Sequence, residues 1–243
     1  MAEAHVKVFK DLHELSTSAA SSFVEIAKEA IRERGRFTVS LSGGNTPMKM
    51  YEILGEQFQD KLDWSKVHFF WGDERCVPAD DPGNCYGQAK GAFLEKVMAP
   101  AENIHRVESE LEPAEAARRY ARTLEQYADS PLAWPRFDLV LLGMGDDGHT
   151  ASLFPGSPVE VDSPTLPVVA NYQDRPARRV TVTQNVFNDA RNIYFLAVGK
   201  SKAETLRNVL NGEYLPGVYP AQRIRPSDGT VTWLVDEAAA SLL

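Results

Sequence analysis

The chain predicts an α/β fold, a doubly wound and mostly parallel sheet with helices on both faces, in one domain over residues 1–243. Three observations carry that prediction. Strand-length apolar runs alternate with segments of helical periodicity along the whole chain, the pattern of a parallel sheet with crossover helices. Several runs, such as Phe137-Asp138-Leu139-Val140-Leu141-Leu142, are nearly continuous in apolar residues, as strands buried on both faces are. Three runs end in glycine-bearing loops, and in open sheets of this kind ligands bind at the carboxyl ends of strands.

Taken in order, Val6-Lys7-Val8-Phe9 reads as the first strand. Asp11 to Arg34 carries Phe23, Ile26, Ala27, Ala30 and Ile31 at helical spacing, with Gly35 as the stop. Phe37 to Leu41 is the next strand, and a helix follows from Pro47 to Phe58 with Thr46 as N-cap. Lys66 to Trp71 is the third strand, and its histidine, His68, reads as a packed residue. Asn84 caps a helix reaching Val97, before Pro100 breaks it. Ile104 to Val107 reads as a short strand containing a structural His105, and Glu115 to Tyr127 as an amphipathic helix with a solvated charged face. After the central strand, Pro155, Pro158, Pro164 and Pro167 interrupt regular structure. Arg178 to Thr183 and Asn192 to Val198 are strands, a helix runs from the Gly199–Lys202 junction to Leu210, and Val231 to Val235 is the last strand. Asp236 caps a short final helix.

The chemistry gathers at the strand ends. Gly143-Met144-Gly145-Asp146-Asp147-Gly148-His149-Thr150 brings bare backbone and one histidine beside two carboxylates. A histidine there is placed for general base chemistry near neutral pH, and a glycine-rich turn with a surface histidine is the other reading of the loop. The spacing is also G-x-G-x-x-G, but a dinucleotide site needs a long helix straight after the glycines, where this chain has prolines. Ser42-Gly43-Gly44-Asn45-Thr46-Pro47 sets a helix N-terminus behind a glycine turn, a natural seat for phosphate or carboxylate. It lacks the G-K-[ST] of a P-loop, and a well-capped tight turn is the other reading of the same residues. Gly72-Asp73-Glu74-Arg75 places charges just past a strand end, where they must pair with each other or meet a ligand. Arg75 has the planar donor fork that suits phosphate. Lys200 and Lys202 stand at a helix start, where the dipole disfavours cations unless an anion is near, a solvated lysine being the commoner reading of such a position.

Composition narrows the partners. A net charge of -8 argues against nucleic acid or an anionic membrane as the main partner, while leaving room for a small anion held by a local basic cluster. No apolar run approaches the roughly 20 residues of a spanning helix. Met1-Ala2-Glu3-Ala4-His5 lacks the basic start and apolar core of a signal peptide, and the two cysteines, Cys76 and Cys85, are expected to be free thiols. A cytoplasmic location is the expectation.

Ser42–Pro47, Trp71–Arg75 and Gly143–Gly156 together resemble the signature blocks of the 6-phosphogluconolactonases, in the glucosamine-6-phosphate isomerase/6-phosphogluconolactonase family. Arg179–Thr183, Gly199–Ala203 and Pro220–Gln222 are similar to later blocks in the same order, so the likeness covers nearly the whole chain. It implies a Rossmann-like fold of the isomerase/lactonase type. It also implies hydrolysis of 6-phospho-D-glucono-1,5-lactone in the oxidative pentose phosphate pathway, with no metal and no cofactor. His149 falls on the family's general base; Asp147, by its spacing, orients the imidazole, and Asp73 organises Arg75 or the water. The substrate phosphate falls to Arg75, Arg179 and Lys202, with Ser42, Gly43, Gly44, Asn45 and Thr46 adding backbone and side-chain donors. Glycine N–H groups of either loop, or Arg75, are the candidates for stabilising the oxyanion.

Two other functions compete. The deaminase branch carries GHIAFNEP, whose glutamate helps open the sugar ring; this chain has Phe154 there, which cannot transfer a proton. A non-catalytic sugar-phosphate sensor would need a DNA-reading extension, whereas the first predicted helix begins close to Met1 and the charge is acidic. The expected ligand is thus a phosphorylated sugar lactone, with no nucleic-acid or membrane partner; the oligomeric state stays open, with a monomer favoured.

Overall fold

In a computed structural model describing residues 5–243, six parallel strands form the central sheet. The leader-free reading of Met1–Ala4 lies outside the described residues. The strands are β1 (His5–Phe9), β2 (Phe37–Leu41), β3 (Val67–Trp71), β5 (Leu139–Gly143), β8 (Asn192–Ala197) and β9 (Thr230–Asp236), in the order β1-β9-β8-β5-β2-β3. From β2 the chain steps outward to β3, and later returns to the other flank of β2 as β5. The order therefore reverses between β2 and β5, and their carboxyl ends open the crevice in which such sheets bind ligands.

Strand residues alternate between two apolar layers. Val39 and Leu41 of β2 and Leu139 and Leu141 of β5 join one layer, built with α1 (Leu12–Arg34), α2 (Asn45–Gln57) and α3 (Cys85–Ala89). Val140 and Leu142 of β5 and Phe195 of β8 join the other, built with α4 (Pro113–Gln126), α5 (Gln184–Asn188) and α6 (Ala203–Asn211). The period of two thus delivers one face of each strand to each helical layer. Helix α1 begins as expected, with the Asp11 carboxylate accepting the Glu14 N–H at 2.9 Å, and Gly35 closes it.

A second, antiparallel sheet of order β4-β7-β6 stands beside the first: β4 is Asp73–Arg75, β7 is Arg178–Val182 and β6 is Thr165–Val169. The expected loop at Asp73–Arg75 is therefore a strand, paired across the chain with Thr181, Val180 and Arg179. The proline-broken segment likewise contains a strand. β6 is an edge strand, where Pro167 can sit without emptying a central ladder.

Other boundaries differ locally. Helix α2 starts at Asn45, so Thr46 is inside it and the N-cap is Gly44, whose φ of 101° a side chain would resist. Asn84 does cap α3, its side chain accepting the Gly87 N–H at 2.8 Å, but α-geometry gives way to a π-helical turn over Lys90–Leu94. Ile104 makes only a single bridge to Phe69 of the edge strand β3, so the expected strand over Ile104–Val107 does not form. Asp236 caps a turn through the Ala239 N–H at 2.7 Å, too short a segment for a helix. Among the described residues no helix is long and apolar enough to cross a membrane.

At the amino end of the sheet Asp138 ties β2 to β5. Its buried carboxylate accepts the Thr38 N–H at 2.8 Å, the Thr38 hydroxyl at 3.1 Å and Arg34 Nε at 3.0 Å. Asp138→Ala strands those donors in a buried setting, and we expect a loss of about 3 kcal/mol in unfolding free energy. Chemical denaturation measures it; a change under about 0.5 kcal/mol, the size typical of surface sites, would refute this role.

Candidate active site

A cavity of about 300 Å³ opens at the crevice between β2 and β5. Ser42, Gly43, Gly44, Asn45, Thr46, Asp73, Arg75, His149, Arg179 and Lys202 all line it. Asp147, outside that lining, reaches the site through His149. The sequence-predicted residues thus come together from five separate stretches of chain.

Each is held by its element. The Tyr51 hydroxyl of α2 donates to the Ser42 carbonyl at 2.8 Å and accepts the Ser42 N–H at 3.1 Å, fixing the exit from β2. The first amides of α2 then point out of the helix with no intrahelical acceptor. Asp73 and Arg75 project from β4, whose pairing with β7 also brings up Arg179. Glu74 alternates to the other side, fully buried. Its carboxylate accepts the backbone N–H groups of Arg75, Cys85 and Tyr86 at 2.7, 2.8 and 2.9 Å. Burial pushes the Glu74 carboxyl up to about 7 against the pull of those donors.

The histidine loop closes on itself. His149 Nδ1 lies 2.6 Å from Asp147 Oδ1, which also accepts the His149 N–H at 3.1 Å. Burial opposes ionisation of Asp147, but the hydrogen bond and charge of His149 outweigh it and hold this carboxyl below its ordinary value. With Nδ1 committed, Nε2 is the nitrogen left to take a proton. The imidazole is packed against Phe154, with ring centroids 4.4 Å apart, and against Tyr172, edge-on at 4.5 Å. The Gly145 and Gly148 amides, two candidates for an oxyanion, are already engaged: Gly145 donates to the His149 carbonyl at 2.8 Å and Gly148 to the Gly145 carbonyl at 3.1 Å.

The basic residues differ in what they already hold. Lys202 Nζ lies 2.7 Å from Asp146 Oδ1, so the anion beside this lysine is part of the histidine loop. Arg75 donates from Nη1 to the Gly83 carbonyl at 2.8 Å, while its Nε is buried without a partner. Arg179 is 2% exposed, and its Nε and Nη2 are both buried without a partner. Burial, the largest cause, pulls Arg179 below its ordinary value; the Asp73 carboxylate opposes this, and the nearby positive charges of Arg75 and Arg175 add to it. Buried donors left unsatisfied are costly, so a cavity lined by them suits an anion. Asp73 accepts the Ser152 hydroxyl at 2.6 Å, the hydrogen bond that anchors its carboxylate. Among the described residues no cluster of three or more His, Cys, Asp or Glu side chains could hold a metal ion.

Sequence reading missed Tyr172, Gln173 and Arg175, which line the cavity from the connection between β6 and β7. It passed over Ser152 and Glu74 as well, whose work is to hold Asp73 and the start of α3. Only the presence of an arginine and a tyrosine just before Arg179 marked the first group, a weak signal inside a segment read as irregular.

The chain matches the family model described as glucosamine-6-phosphate isomerases/6-phosphogluconolactonase over residues 10–233. It is 42% identical over 217 residues to a 6-phosphogluconolactonase of Synechocystis sp., covering 88% of each chain. Its fold superposes with a TM-score of 0.88 on a 6-phosphogluconolactonase from Trypanosoma cruzi, at 29% identity, over 100% of this chain and 98% of that one. A monomeric glucosamine-6-phosphate deaminase is similar at a TM-score of 0.85 and 25% identity, over 98% of this chain and 100% of that one.

Proposed function

Because this chain belongs to the family of glucosamine-6-phosphate isomerases and 6-phosphogluconolactonases, we propose that His149 is the general base of its lactone hydrolysis. The enzyme converts 6-phospho-D-glucono-1,5-lactone to 6-phospho-D-gluconate, a step of the oxidative pentose phosphate pathway. The observation that carries the assignment of roles is the Asp147–His149 bond of 2.6 Å in the same cavity as unpartnered buried arginine donors.

In this reading His149 Nε2 takes a proton from water, and the resulting hydroxide adds to the lactone carbonyl carbon. Asp147 keeps Nδ1 protonated and stabilises the imidazolium that forms. Negative charge grows on the carbonyl oxygen. The Gly145 and Gly148 amides are spent on the loop itself and the Gly44 amide on Gln88 Oε1, so the oxyanion falls to arginine donors or to the amide of Gly43. Collapse of the tetrahedral intermediate breaks the ring C–O bond, and the departing ring oxygen takes the proton back from His149. The phosphate is held by Arg75 and Arg179, with Lys202 and the first turn of α2 beside them.

Phe154 weighs against the deaminase reading. Its ring lies against the imidazole, where a proton-transferring carboxylate would be needed to open an amino sugar. The test is a comparison of two reactions of the purified protein. We expect lactone hydrolysis well above the spontaneous rate and no ammonia from glucosamine 6-phosphate; steady ammonia release without lactonase activity would reverse the assignment.

A further inference from the structure

We infer that Arg175, carried on the two-residue hairpin turn between β6 and β7, is a specificity-determining residue that grips the substrate phosphate and sets the preference for a phosphorylated over an unphosphorylated lactone. The inference rests on the lactonase reading of the site and deepens it.

Among the described residues four cations line the cavity: Arg75, Arg175, Arg179 and Lys202. Three have nearby commitments. Lys202 is neutralised by Asp146 at 2.7 Å, Arg75 donates to Gly83, and Arg179 lies with its guanidinium carbon 5.4 Å over the Phe154 ring. Among the described residues Arg175 has neither a hydrogen-bond acceptor nor an ion-pair partner for its guanidinium. Its Nη1 stands 4.0 Å from where a β-carbon on Gly44 would lie, at the open end of α2. The guanidinium, the unpaired amides of that first turn and the neighbouring Arg179 thus surround one volume. Arg175 and Arg179 repel each other across this cavity, a repulsion that Asp73 offsets at Arg179, and a phosphate dianion would meet both cations.

The hairpin is built to hold this position rather than to let the arginine wander. The Arg175 N–H donates to the Tyr172 carbonyl at 3.1 Å, and Gln173 and Asp174 take φ of 49° and 52°, the mirror-image turn that suits strand twist. Non-glycine residues adopt it only at a cost, so other contacts must hold it. They come from the histidine loop. The Tyr172 hydroxyl accepts the Asp146 N–H at 3.3 Å, and Gln173 Nε2 donates to Asp146 Oδ2 at 3.3 Å. Tyr172 meanwhile stands edge-on to His149. One turn therefore spans both ends of the substrate, with an aromatic wall at the base and a cation at the phosphate.

The test measures kcat/KM of wild type, Arg175→Ala and Arg175→Lys on 6-phospho-D-glucono-1,5-lactone and on unphosphorylated D-glucono-1,5-lactone. We expect the preference for the phosphorylated substrate to fall about thirtyfold in Arg175→Ala, the worth of a charge-assisted hydrogen bond, mainly through KM on that substrate. Arg175→Lys should recover part of it, because a point charge replaces a fork. A preference kept within about twofold in Arg175→Ala overturns the inference while leaving the lactonase reading intact. Equal activity of wild type on both substrates, or none on either, overturns the reading of the phosphate end itself. A loss in Arg175→Ala that is the same on both substrates, and that lysine does not recover, marks a purely structural role and also defeats the inference.

Discussion

His149→Ala is expected to lower kcat for lactone hydrolysis by about three orders of magnitude, the usual worth of a positioned general base. The expectation follows from commitments already made in the site. Nδ1 is bound to Asp147 at 2.6 Å, Nε2 is the nitrogen left, and the ring is packed against Phe154 and Tyr172. Product affinity should change little, because the residues proposed to hold the phosphate, Arg75 and Arg179, are not His149. Steady-state rates above the spontaneous background give kcat, and inhibition by 6-phospho-D-gluconate gives the product affinity. Asp147→Asn should give a loss of comparable size, since the amide keeps the shape but neither holds the Nδ1-protonated tautomer nor stabilises the imidazolium. A His149→Ala enzyme with kcat within about tenfold of wild type would remove the imidazole from the chemistry, since even the low end of general base catalysis exceeds that.

The sequence made the parallel sheet legible because parallel strands buried on both faces announce themselves locally, as Phe37–Leu41 and Leu139–Gly143 do. The site's principal residues were legible for a related reason. Glycine loops and charged side chains at strand ends stand out from their flanks, and the reversal between β2 and β5 brings those loops together. What stayed hidden depends on distant pairing. Asp73–Arg75 becomes a strand only by meeting Arg179–Thr181, some hundred residues away in sequence, and three charged residues give no periodic signal. Thr165–Val169 carries a proline that argues against a strand unless one already knows it lies at an edge. Since Arg175 hangs from that second sheet, missing the sheet meant missing the arginine. Lys202 shows the opposite limit. Its position at a helix start pointed to an anion, but nothing in the linear pattern said that Asp146 would take that place.

Gly145→Ala is expected to cost nearly as much activity as removing the histidine, for a reason confined to space. A β-carbon there would stand 2.1 Å from His149 Nδ1, 2.3 Å from Cε1 and 2.6 Å from Asp147 Oδ1, distances no pair of unbonded atoms tolerates. Gly145 does not occupy the left-handed region, so its backbone accepts alanine and the conflict falls on the Asp147–His149 pair. The ring must swing away or the hydrogen bond must break. A displacement near 1 Å at a reacting group is enough for about a hundredfold loss, and a lost dyad for more. Gly91, with open space around its added carbon, serves as the matched substitution and should keep wild-type kcat. The decisive measurement is the double variant. If the methyl acts only by displacing the imidazole, adding Gly145→Ala to His149→Ala should lower kcat by less than about twofold, since the two changes share one target. Multiplicative losses in the double variant would show that Gly145 serves the reaction by some route other than the histidine it touches.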